Sequence, residues 1–269
     1  MTTRYTFGTG RLAGDRLATL ARVFAPTTRA FLWAEAPREP SLALDLGCGP
    51  GHTSRLVASI TRARQTVGIE RSAEFVARAE AEQADVVGLS FAQRDVITDP
   101  LPGGPADLVF CRYLLTHLPD PGAVMGAWAA QLAPGGRLLV EEVEEIRTDV
   151  EPFRRYLDHV ADLLGSNGQR LDIGPSLHAL VPPPGVVRAS SKVATLQPIG
   201  ADVVAMFRPN LATWRDDPAV VARVDPVELN ELDAALAAQA DRRAGSITWR
   251  LRQLVWERAA EGGAARWTA

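Results

Sequence analysis

Apolar positions along the chain follow two rhythms. From about Asp15 to Ala36, Leu17, Leu20, Phe24 and Phe31 recur at helical spacing, which predicts one or two helices at the start. Short apolar runs then alternate with amphipathic stretches. Leu42 to Leu46, Thr66 to Ile69, Leu89 to Ala92, Asp107 to Cys111 and Arg137 to Val143 each read as a buried parallel strand. Between them, Ser72 is placed to cap a helix carrying Phe75, Val76 and Ala79. Asp120-Pro121 reads as N-cap and first helical position ahead of Val124, Trp128 and Leu132, and Gly135-Gly136 closes that helix. Such alternation predicts an α/β protein with a doubly wound parallel sheet.

After Glu145 the rhythm changes. Glu151-Pro152 opens a helix with Phe153, Tyr156, Leu157, Val160 and Leu164 on one face, stopped at Gly165. Leu171 to Val181 reads as a short helix, Pro182 to Gly185 as a break, and Val186 to Leu196 as a strand. Asp225-Pro226-Val227-Glu228 resembles a capping box ahead of Leu229, Leu232 and Leu236, and Ile247 to Trp256 reads as a final strand. With no internal repeat and no low-complexity linker, the chain reads as one domain, 1–269. Within it, 1–40 form an N-terminal helical cap, 41–146 a ligand-binding core, 147–185 inserted lid helices, and 186–269 C-terminal strands and helices.

The strongest local signal is Asp45-Leu46-Gly47-Cys48-Gly49-Pro50-Gly51 at the end of the first strand, with a helix behind it. Glycines there permit positive φ and let a ligand approach the backbone where a Cβ would clash. In an open α/β sheet this is where ligands bind. A dinucleotide site would want its third glycine at position 52, which is His52, and a P-loop would want Lys then Ser or Thr. The loop therefore suits a ligand without a pyrophosphate.

This segment is similar to the first motif of class I S-adenosylmethionine-dependent methyltransferases of the bacterial small-molecule type. Further matching segments follow in order: Val67-Gly68-Ile69-Glu70, Gln93-Arg94-Asp95-Val96, Asp107 to Arg112, and Leu132 to Val140. The resemblance covers roughly Tyr5 to Val143. It implies a Rossmann-like, doubly wound, seven-stranded mixed sheet, the class I methyltransferase fold, with N-terminal and inserted lid helices. It also implies S-adenosylmethionine as cofactor, with Asp45, Gly47, Cys48 and Gly49 at the loop. Glu70 would take the ribose hydroxyls, since a carboxylate can accept both hydrogen bonds. Arg71 would lie along the adenosine, Asp95 and Val96 would meet the adenine, and Arg112 and His117 would line the pocket. Tyr5 resembles part of an N-terminal segment that folds over the cofactor.

Methyl transfer needs mainly positioning, and a base only when the acceptor must lose a proton early. His117, just after the fourth strand, is the candidate base. Its plainer reading is a pocket-lining or loop-orienting residue. Glu141, Glu142, Glu144 and Glu145 crowd the end of the fifth strand. Alternation puts Glu142 and Glu144 on one face and Glu141 on the other, with one of the four open to face the acceptor and most of them solvated or paired. Trp214, Trp249, Trp256 and Trp267 could cover a flat acceptor or simply pack.

Composition narrows the classes. The 269 residues carry a net charge of −3, which lowers the case for a nucleic-acid partner. The stretch Cys111-Arg112-Tyr113-Leu114 also lacks the Asn/Asp-Pro-Pro-aromatic motif common in nucleobase methyltransferases. No run is apolar enough for a membrane span. Cys48 and Cys111 read as packing residues, and no metal is expected. The expectation is a cytoplasmic enzyme acting on a small-molecule substrate, plausibly in bacterial secondary metabolism, with a homodimer left open. A non-methylating enzyme and a non-catalytic cofactor-binding module on the same fold are the competing readings.

Overall fold

The computed structural model describes residues 10–260. A long helix, α1 (Arg11–Glu35), runs through Pro26 without dividing, so the opening segment is one helix rather than two. The core then alternates β1 (Leu42–Leu46), α2 (His52–Thr61), β2 (Gln65–Glu70), α3 (Ala73–Glu82), β3 (Leu89–Gln93) and β4 (Ala106–Arg112). A 3-10 turn at Leu115–His117 leads to α4 (Pro121–Ala129) and β5 (Leu132–Thr148). The remainder is α5 (Glu151–Ser166), α6 (Gly174–Ala179), β6 (Val186–Leu196), α7 (Gly200–Trp214), α8 (Pro218–Val221), α9 (Pro226–Ala237) and β7 (Ile247–Arg258).

The strands form one sheet in the order β3-β2-β1-β4-β5-β7-β6. The first five are mutually parallel, and β7 runs antiparallel to both β5 and β6. The expected seven-stranded mixed sheet is thus present. The order reverses between β1 and β4, and such a switch point opens a crevice at the carboxyl ends of the strands.

Local chemistry accounts for the helix starts. Ser72 Oγ accepts from Phe75 N–H, and Asp120 Oδ1 from Ala123 N–H. Asp225 Oδ1 accepts from Val227 N–H, one residue earlier than a capping box requires, while Glu228 turns to Arg155. The first helix face and α2 cover one side of the sheet around Phe31, Leu108 and Phe110. On the other side α4 and α6 pack Trp128, Met125 and Leu177 against Val109 and Leu138. A third cluster, with Phe24, Phe153, Phe207 and Trp249, joins α1, α5, α7 and α9 beyond the strand ends.

The largest departure from expectation is β5. It begins at Leu132 and extends to Thr148, because antiparallel β7 pairs with it far past the end of β4. A bulge between Val143 and Glu145 breaks the alternation, which the sequence pattern alone does not disclose. Glu141 and Glu142 are both fully buried, while Glu144 pairs with Arg252 and Glu145 with Arg147 and Arg250.

Candidate functional site

At the carboxyl ends of β1, β2 and β4 lies a cavity of about 650 Å³ with two chemically different ends. One end is the glycine loop. Gly47 and Gly49 have φ of +67° and +52°, values L side chains rarely adopt. At Gly47 the positive φ strains any side chain, and a Cβ would also press on the Leu114 side chain at 2.8 Å, so the turn favours glycine there. A Cβ on Gly49 would meet only Leu17, at 3.5 Å, so the Gly49 backbone is open to the cavity.

The loop is held from two sides. The N–H groups of Gly47 and Cys48 donate to the Ile69 carbonyl, at 2.8 and 3.1 Å. Glu70 Oε2 accepts from Gly49 N–H at 3.1 Å, and its Oε1 accepts from Ser72 N–H at 2.8 Å. Each carboxylate oxygen keeps lone-pair capacity toward the cavity that Glu70 lines. Farther along the wall, Asp95 Oδ1 accepts from Ile97 N–H, and Arg71 stands 4.0 Å from Asp95 Oδ2. Trp128 Nε1 donates to the Val96 carbonyl, fastening that segment to α4.

Gly47, Cys48, Gly49, Glu70, Arg71, Asp95, Val96, Arg112 and His117 therefore share one cavity wall. Asp45 does not join them. It is buried under the loop, where Oδ2 accepts from Thr53 Oγ1 and Ser54 Oγ, both at 2.7 Å. Burial pushes its carboxyl up to about 6 against the pull of these hydroxyls and of Arg112. Asp45 braces β1 against α2 and does not line the cavity. Tyr5 and Trp267 lie outside the described residues.

His117 closes the 3-10 turn and is partly buried, lining the cavity. Burial first, and the Arg16 charge second, lower its imidazole to about 4. A neutral imidazole of such low basicity is a weak proton acceptor at neutral pH. Cys48 and Cys111 are buried, and burial raises both thiols well above their usual range. Among the described residues no three His, Cys, Asp or Glu side chains gather as a metal site.

The other end of the cavity is apolar and aromatic, and most of it comes from residues that carry no motif. Phe24 meets the Tyr113 and Trp249 rings edge-on, at 5.3 and 5.8 Å between centroids, and Tyr156 stacks on Phe207 at 3.9 Å. Leu20, Val160 and Met206 fill the gaps. Trp214 and Trp256 pack in the core instead. Tyr113 itself has φ of +55°, a strained conformation for a bulky residue and one that clusters at functional sites. Arg16 lines this wall from α1 and is nearly buried.

Glu142 faces the same end. Its Oε1 accepts from the N–H groups of Leu114 and Leu115, at 2.8 and 2.7 Å. Burial pushes its carboxyl up to about 8, with Glu141 adding to the shift while the two N–H groups and Arg112 oppose it. Glu141 points to the opposite face and is satisfied there. It accepts from Thr28 Oγ1 and from Gln253 Nε2, while Arg112 Nη1 donates to Thr28 Oγ1. This network ties α1 to the sheet beside the cavity.

A nucleoside cofactor fits these features: an open glycine backbone, a carboxylate braced beside it, and a second carboxylate one strand along. Residues 44–140 match the methyltransferase domain family. Trans-aconitate 2-methyltransferase of Streptomyces avermitilis is 34% identical over 130 residues, covering 47% of this chain and 48% of that protein. The chain spans about half the length of the curated relatives it matches. Among solved structures, phosphoethanolamine N-methyltransferase 2 of Haemonchus contortus, in complex with phosphomonomethylethanolamine and S-adenosylhomocysteine, superposes with a TM-score of 0.56 at 16% identity. It covers 91% of this chain and 58% of that one. The YcgJ protein of Bacillus subtilis gives a TM-score of 0.53 at 17% identity, over 88% and 100% of the two chains. Residues 44–140 thus match a methyltransferase domain, and the chain shares the fold of these solved structures.

Proposed function

We propose that the protein transfers the methyl group of S-adenosylmethionine to a small-molecule acceptor enclosed between α1, α5 and α7. The observation that carries this reading is the two-ended cavity, with the open glycine loop beside Glu70 at one end and an aromatic wall at the other. In this reading the cofactor supplies an electrophilic methyl group on a sulfonium.

The chain's own residues bind and orient. Gly47, Cys48 and Gly49 receive the ligand against their backbone, and Glu70 accepts hydrogen bonds from two ribose hydroxyls. Asp95 and Val96 meet the base, with Arg71 alongside. Arg112 and His117 complete the wall, and Asp45 keeps the loop in shape from below. The first 40 residues act as a cap and the 147–185 segment as a lid, consistent with Leu17 and Leu20 on α1 and Tyr156 and Leu157 on α5 lining the cavity. Excluding water there strengthens every polar contact inside.

The relatives named for trans-aconitate methylation act on a small acid, which supports the small-molecule class. A cavity of this size suits a compact metabolite, such as one tailored in secondary metabolism. No helix among the described residues is long and apolar enough to cross a membrane, which agrees with a cytoplasmic setting. Incubating the protein with methyl-labelled cofactor and a small-molecule extract tests the reading. Label in a low-mass product is the expected outcome, and bound cofactor with no transfer to any acceptor would make the protein a binding module instead.

A further inference from the structure

Among the described residues, Tyr113 Oη, Glu142 Oε2 and Asn210 Oδ1 are buried polar atoms without a hydrogen-bond partner on side chains that line the cavity. They come from three different elements and line one space. A buried polar atom left unpaired costs about 1–3 kcal/mol, so a common ligand that satisfies all three is the economical explanation. Asn210 is held in place by donating its Nδ2 to Tyr156 Oη at 2.6 Å. Glu142 is held by its two backbone donors, which fix one oxygen and leave the other for the ligand.

Resting on the function proposed above, we propose that the aromatic end of the cavity takes a compact, mainly apolar hydroxyl compound, and that Glu142 accepts its proton during methyl transfer. The hydroxyl oxygen forms the bond to the methyl carbon, the carbon–sulfur bond breaks with its electron pair leaving on sulfur, and the hydroxyl proton passes to Glu142 Oε2. Tyr113 and Asn210 hold the acceptor's remaining polar atoms. The charges nearby select against the alternatives. Arg16 and Arg112 both line the cavity, so an ammonium acceptor would meet like charge. A carboxylate acceptor is already deprotonated and would leave a proton acceptor at Glu142 without a task. The other charged or titratable groups around Glu142 are Glu141 behind it, Cys111 and Tyr113 on β4 and its extension, His117 on the turn, and Arg252 across β7, already engaged by Glu144. A carboxyl raised toward neutrality by burial is well matched to this task.

The test offers the full chain methyl-labelled cofactor with para-cresol, para-toluidine or para-toluate. The expected result is label on para-cresol, with a rate that rises toward pH 8. Glu142→Gln keeps an acceptor oxygen for Leu114 and Leu115 but cannot take a proton. It should lower kcat by about 100-fold or more and abolish the rise with pH. Calorimetric affinity for S-adenosylhomocysteine should stay within about twofold, while para-cresol binding to that complex should weaken by about 5-fold or more, as expected for one lost hydrogen bond. Tyr113→Phe should raise KM for para-cresol by a similar factor with kcat nearly unchanged, and it decides the matter if the Gln variant fails to bind S-adenosylhomocysteine. Label on the amine or the acid instead, no label on any probe while S-adenosylhomocysteine binds, or wild-type rate and pH profile in the Gln variant would each overturn the inference. Failure of the wild type to bind S-adenosylhomocysteine would count against the methyltransferase reading itself.

Discussion

Replacing Glu142 by Gln should stabilise the protein in alkaline solution, because the native carboxyl is enclosed where its charge is poorly solvated. Its ordinary value is 4.5, and in the folded chain it lies at about 8. The folded state holds this proton more tightly than the unfolded state does. The associated stability is complete below about pH 4.5 and is lost as pH rises through about 8. A shift of roughly 3.5 pH units at about 1.4 kcal/mol each sets a ceiling of about 5 kcal/mol on that loss. The amide carries no charge to desolvate and retains an oxygen for the Leu114 and Leu115 N–H groups. Asp45 and Glu141 are also raised by burial, but both remain in the variant, so their effects cancel to first order in the difference. Urea denaturation of the two proteins from pH 5 to pH 9 reads that difference directly. It should grow with pH in favour of Glu142→Gln by several kcal/mol. Parallel curves would refute the argument and place Glu142 in contact with solvent.

Three further outcomes follow from the same geometry. Gly47→Ala forces a Cβ onto positive φ and against Leu114; thermal unfolding should show a loss of about 1–2 kcal/mol, and cofactor affinity should fall with it. Trp128→Ala removes a core side chain that also tethers Val96; a loss of about 3–5 kcal/mol is expected by chemical denaturation. His117→Asn should leave the pH profile of turnover without any change near pH 6.5, since the imidazole is already neutral above about 4; a vanished inflection in that region would restore it as the base.

Strand positions were legible because buried parallel strands are short unbroken apolar runs, and β1 to β4 fall within about two residues of the expected limits. Caps at Ser72 and Asp120 were legible because their chemistry is local. The glycine loop was legible for the same reason. What escaped depends on distant partners. Pairing with β7 lengthens β5 and bulges it at Glu144, which period-two alternation does not foresee, although Glu141 and Glu142 do face opposite ways as the alternation predicts. Arg16 and Phe24 reach the cavity only because α1 packs across α7 and the sheet, which no motif announces. The positive φ of Tyr113 had no signature, since neither glycine nor asparagine stands there. Asp45 looked like a ligand contact from its place in the motif, yet Thr53 and Ser54, eight and nine residues on, claim its carboxylate.

The central claim is that a sulfonium nucleoside seats on the Gly47–Gly49 backbone beside Glu70. Isothermal titration with S-adenosylhomocysteine tests it most directly. The account predicts saturable one-to-one binding, no heat from a pyrophosphate-bridged dinucleotide such as NAD, and affinity lowered about 100-fold in Glu70→Ala, the equivalent of two lost hydrogen bonds to a charged group. An absence of heat from the wild-type protein, or equal affinity in the Ala variant, would contradict it.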